Sequence, residues 1–118
     1  MRPKRIAVNG QVYLRKLTAG QARDNERKWK AVYDAYVAAD TGSDEEKAAY
    51  DRLWECTLGI VRECVTGAED DDGAVVDFDA DAPIEDQIDH SDLQELALHC
   101  CGQMREGVTV IGQAPLAT

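Results

Sequence analysis

The sequence predicts an α+β fold that is mainly helical: an N-terminal β-hairpin followed by three helices, with an acidic loop before the last. Three observations carry that prediction. Within residues 5–15 two short apolar runs flank Asn9-Gly10, a dipeptide that accepts the positive φ of a two-residue hairpin turn. Apolar residues then recur at helical spacing over about 19–40, 44–66 and 91–104. Between the last two segments, residues 69–92 hold eleven Asp or Glu and no Lys or Arg.

The chain of 118 residues is the size of one domain, which we place at 1–104 with a C-terminal tail at 105–118. The hairpin needs a partner for its edges, because an isolated two-stranded pair is marginal in water. Thr18 is positioned to cap the first helix, in which Trp29, Val32, Tyr33, Tyr36 and Val37 recur at helical spacing. Thr41-Gly42 ends it, glycine being favoured at such stops.

Ser43 with Glu46 three residues on reads as a capping box opening the second helix. Tyr50, Trp54, Thr57, Val61 and Cys64 form its stripe. Leu53 and Ile60 widen the stripe on one side, Leu58 and Val65 on the other, until Gly67 stops the helix. The result is wider than one packing seam needs. Trp54, Leu58 and Val65 sit on a shoulder, to be covered either by this chain's own hairpin or last helix, or by a partner. Ser91 is expected to cap the last helix, with Leu93, Leu96, Ala97, Cys100 and Met104 on one face. A partner-binding groove would then combine Trp54, Leu58 and Val65 with Leu93 and Leu96. The acidic loop contains a brief extended segment at 74–78. In the tail, Val108 to Ile111 is suited to add a strand to a sheet edge or to remain a loose end.

Charge is divided unevenly. The net charge is −10, yet residues 1–30 carry nine Lys or Arg against two acids, a net of +7, which leaves −17 on the rest. Overall negative charge repels phosphate and argues against nucleic acid as a partner. Apolar stretches fall far short of a membrane span, and no apolar signal segment follows the basic start. These features predict a cytoplasmic protein. Its four cysteines, Cys56, Cys64, Cys100 and Cys101, are expected to stay thiols and to act as small core hydrophobes. The contrast of basic head and acidic body predicts a homo-oligomer in which Lys4, Arg5, Arg15 and Lys16 of one copy meet Asp70, Asp71 and Asp72 of the next, head to tail.

No site for chemistry emerges. Asp70-Asp71-Asp72-Gly73 resembles the middle of a calcium loop, but the matching first position is Ala68 and the twelfth is Asp79 rather than a Glu. The cysteines and His99 lack zinc-ligand spacing. There is no phosphate-binding glycine loop and no nucleophile elbow. The sequence therefore predicts no cofactor, no metal and no enzyme.

The order of elements resembles the tail assembly chaperones of long-tailed bacteriophages. The strand pair leads into helices through Val12-Tyr13-Leu14-Arg15-Lys16-Leu17-Thr18-Ala19-Gly20. An acidic Asp-x-x-Gly segment follows the helical middle at Asp70–Gly73, near Phe78. The last helix carries Leu93-x-x-Leu96. The resemblance spans about residues 5–104; the cysteines and the chain after Met104 depart from it. It implies a protein of the host cytoplasm that coats the long helical tape-measure protein before the tail tube polymerises. A structural virion component, such as a head–tail adaptor or tail-tube-associated protein, would share the size and charge contrast. So would a small acidic regulator of a nucleic-acid-binding protein.

Overall fold

The computed structural model describes residues 4–102. It is α+β and mainly helical, with β1 (Lys4–Val8), β2 (Gln11–Arg15), α1 (Ala19–Ala38), α2 (Asp44–Cys64), β3 (Val65–Glu69), β4 (Val75–Asp77), a short 3₁₀ turn (Ile84–Asp86) and α3 (His90–Cys100). Met104, the expected end of the last helix, and the 105–118 tail with its 108–111 run lie outside the described residues.

The four strands form one antiparallel sheet in the order β1-β2-β3-β4. Asn9 and Gly10 make the first turn with φ of 50° and 83°, the left-handed pair that keeps two strands in register. Ile6, Val8 and Tyr13 of this hairpin are buried in a cluster with Trp29 of α1, Leu53, Ile60 and Val61 of α2, and Leu93, Leu96 and Leu98 of α3.

The helix starts differ in detail from the sequence reading. Thr18 caps α1 in a full capping box with Gln21. Ser43 Oγ accepts the Glu46 N–H, but the Glu46 carboxylate turns to the N–H of Gly42, because the Ser43 N–H already donates to the Asp40 carbonyl. Asp89, rather than Ser91, caps α3: its carboxylate accepts both the Ser91 N–H and hydroxyl. A carboxylate at a helix start gains from the helix dipole as well as the orphan donors.

The larger correction concerns the second helix, expected to reach residue 66. It ends at Cys64, and Val65–Glu69 is a strand hydrogen-bonded between β2 and β4. Val65 and Thr66 are β-branched and favour the extended state once a sheet edge is offered. The junction is fixed by the Lys16 N–H, which donates to the Cys64 carbonyl at 2.8 Å beside a register shift between Leu14 and Arg15. Gly67 is therefore no helix stop. It faces β4 so closely that an added Cβ would lie 2.5 Å from the Val76 carbonyl oxygen.

This contrast predicts opposite effects of one methyl group at two glycines. Gly67→Ala should destabilise the fold by about 1–3 kcal/mol, since backbone must move to admit it. Gly59 lies inside α2 with open space around it, so Gly59→Ala should stabilise by roughly 0.5–1 kcal/mol. Urea unfolding of the two variants beside the parent chain measures both.

Candidate interaction surface

α1 and α2 run side by side and bring together aromatic rings that are far apart in the sequence. Within each helix, rings four residues apart share a face: Trp29 stacks on Tyr33 at 4.8 Å, and Tyr50 meets Trp54 edge-on at 6.2 Å. Between the helices, Tyr36 contacts Tyr50 at 5.6 Å. At the start of α3, His90 stacks on Trp54 at 4.8 Å. Tyr33, Tyr36, Leu53 and Trp54 line a cleft of about 240 Å³, and a second hollow of about 390 Å³ lies beside Tyr36, Tyr50 and Lys47. Tyr50 is 43% exposed and Val37, on the next turn of α1 after Tyr33, is 63% exposed.

Of the residues expected to bind a partner, Trp54 and Leu58 are half-buried at the edge of the core. Val65, Leu93 and Leu96 are not available: each is at most 3% exposed, packed within this chain. Val65 left the helix shoulder when it entered β3, and the face of α3 that carries Leu93 and Leu96 is the one that closes the core. The groove beside the second and last helices is thus internal packing. Tyr33, Tyr36, Tyr50 and His90 were missed as a group, because no single element carries them; the spacings Trp29/Tyr33 and Tyr50/Trp54 were the available signal.

The head-to-body charge contrast is partly satisfied inside one chain. Arg5 pairs with Glu69. The half-buried Arg15 donates to the His99 carbonyl at the end of α3, which removes it from the residues expected to meet a second copy. Lys4 and Lys16 are exposed, as are Asp71 and Asp72. Asp70 closes the β3–β4 turn instead of facing a metal, its carboxylate accepting the N–H groups of Asp72 and Ala74 at 2.9 Å.

Beneath the surface, buried polar groups are matched to one another. Asp92, 3% exposed, accepts from the Tyr13 hydroxyl at 2.5 Å and the Asn9 amide at 2.7 Å. Burial, then the Asp92 hydrogen bond, holds the Tyr13 phenol far above its ordinary range. Asn25 donates to the Cys100 carbonyl at 2.9 Å and to Cys64 Sγ at 3.4 Å. The Cys100 thiol bonds Cys64 as well, which favours charge on Cys64 and pushes Cys100 up. Among the described residues, no three His, Cys, Asp or Glu side chains converge as a metal site requires, and no helix is long and apolar enough to cross a membrane. No protein-family model, curated protein or solved structure matches the chain.

His99 makes stability depend on pH. Burial, followed by the Arg15 charge, lowers its pKa below 6.5, against a smaller opposing effect of Glu95. The unfolded chain then takes up a proton at a higher pH than the folded one, so stability falls as pH drops through about 6.5. Urea midpoints should be lower at about pH 5.5 than at about pH 7.5, and this difference should shrink in His99→Gln, which cannot titrate. An unchanged slope in that variant would assign the effect to other groups.

Proposed function

We propose that this chain is a protein-binding module that acts as a tail assembly chaperone of a long-tailed phage, holding a helical segment of the tape-measure protein in the host cytoplasm. The observation that carries the reading is the aromatic surface formed by Tyr33, Tyr36, Tyr50 and Trp54 around a cleft, with Tyr50 partly exposed on its lining and Val37 exposed one turn of α1 after Tyr33. Tyrosine and tryptophan bring large contact area with few rotatable bonds and a polar edge, which is why they dominate protein interfaces. A cleft between two helices suits the apolar stripe of a third, which would place residues three and four apart into it. The resemblance in element order supplies the identity of the client.

In this reading the chain needs neither cofactor nor catalytic group. Self-association between copies would fall chiefly to Lys4 and Lys16 against Asp71 and Asp72, since the equally exposed Arg5 and Asp70 are engaged within the chain, at Glu69 and in the β3–β4 turn. Such contacts weaken with salt, because exposed charges are screened within about 10 Å at 0.1 M.

Val37→Glu and Tyr50→Glu test the client site. Val37→Glu, at a mostly exposed position, should leave the melting temperature nearly unchanged, while Tyr50→Glu, which loses ring contacts with Tyr36 and Trp54, should lower it by a few degrees without unfolding the chain. Each should weaken capture of co-expressed tape-measure protein by about 2 kcal/mol, the scale of an interface hot spot. Folded variants that still capture the client as well as the parent would remove the aromatic surface from consideration.

A further inference from the structure

The sheet ends on the short strand β4, and among the described residues no further strand pairs with its outer side. Val75 and Val76 are 48% and 53% exposed on this strand, although soluble proteins usually guard an edge with lysine, proline or a covering loop. The pairing shows which backbone groups are open. The Phe78 N–H donates to the Thr66 carbonyl and the Asp70 N–H to the Ala74 carbonyl. Hydrogen-bonded and non-bonded pairs alternate along an antiparallel ladder. Val76, opposite Ala68, therefore points its backbone groups at β3, while Val75 and Asp77, opposite Glu69 and Gly67, point theirs outward.

A groove of about 610 Å³ lies against the same end of the sheet. Ala68, Val76 and Phe78 provide apolar lining, and Asp70, Asp77 and Asp89 provide carboxylates, with no Lys or Arg among the lining residues. The far wall is held in place by Gln87, whose side chain bonds both the N–H and the carbonyl of Asp79. The groove thus combines an apolar floor with negative charge only partly met by a cation, Glu69 on its lining being paired with Arg5, next to a row of open backbone donors and acceptors.

We infer that the β4 edge takes up an extended, lysine- or arginine-bearing peptide segment as a fifth strand, with cationic side chains entering the acidic groove. Backbone pairing to Val75 and Asp77 would supply the affinity common to strand addition, and alternate side chains the selectivity. Side chains on the Val76 face fall beside the groove, so an alternating apolar and basic pattern fits where an acidic one is repelled. This inference does not depend on the client of the helical surface: that surface is built mainly on α1 and α2, the groove on the sheet and the start of α3.

Titration of the full chain against a fluorescent peptide of alternating valine and lysine tests it. Anisotropy should report binding that is absent for the valine–glutamate peptide. N-methylation of the lysine peptide's pairing amides, or Val75→Pro in the protein, should each weaken binding about tenfold or more, since each removes a ladder donor while leaving charge intact. Asp77→Lys, at an exposed position, should weaken it by a smaller factor and reduce its salt dependence. Should Val75→Pro unfold, the N-methylated peptide gives the same test on the unaltered chain. The inference fails if the N-methylated peptide binds as well as its parent, which would mean charge attraction without strand pairing. It fails equally if neither peptide binds, or if the unaltered chain alone forms an oligomer through β4 that Val75→Pro dissolves, which would make a second copy the occupant.

Discussion

The fold depends on one buried carboxylate. Asp92 sits in the first turn of α3, almost wholly out of water, and receives Tyr13 from β2 and Asn9 from the hairpin turn. An ionised carboxylate removed from water is costly unless it is met by hydrogen bonds, so this position demands both partners at once. Asn9 consequently has two duties: its backbone adopts the positive φ of the turn, and its side chain reaches a residue 83 positions away. The arrangement anchors the hairpin to the last helix at one defined register. A slip of one residue would turn Tyr13, and with it Ile6 and Val8, to the opposite face.

With the hairpin fixed on α3, the rest of the sheet follows from the α2–β3 junction. The chain leaves α2 at Cys64 and must pair at once with β2, and the register shift between Leu14 and Arg15 absorbs the change of direction. Gly67 then allows β4 to approach β3. The hairpin was legible in the sequence because its signal is local, in Asn9-Gly10 and the flanking runs. The starts of α1 and α2 were legible for the same reason, in Thr18 and Ser43. β3 was not, because Leu58 to Val65 keeps helical spacing, and only pairing with a strand fifty residues earlier turns Val65 and Thr66 out of the helix. The extended segment read at 74–78 is β4, but the acidic composition around 69–74 masked the turn that pairs it with β3, which Asp70 stabilises through its own carboxylate.

The same distinction governs the surface. The over-wide stripe of α2 was real, but its occupants were divided in a way spacing alone did not reveal. Val65 went to the sheet, Leu58 to the core margin, and Trp54 to a ring series completed by residues of α1 and α3. An aromatic surface assembled from three elements has no sequence signature of its own; it exists only once α1 lies against α2. The cysteines illustrate the opposite case. Burial of Cys64, Cys100 and Cys101 as small apolar groups follows from their place in the apolar pattern, whereas the Asn25 bridge from α1 to both Cys64 and the Cys100 carbonyl requires the packed helices.

Polar groups inside the molecule are largely committed to holding it together. Asp92, Asn25 and Thr57 each find partners within the chain, and the buried atoms without one, Arg15 Nε and Trp29 Nε1, belong to side chains anchored by other contacts. On the outside, the rings around Tyr50, the outward backbone groups of β4 and the carboxylates at the groove beside it face solvent. From the basic head, Arg5 pairs with Glu69 on the lining of that groove, while Arg15 is engaged at the His99 carbonyl. Apolar area in water and open edge hydrogen bonds both favour association, and the uncompensated negative charge selects against acidic partners. Under the two proposals, an apolar helical face and a basic extended segment are the partners that fit these surfaces.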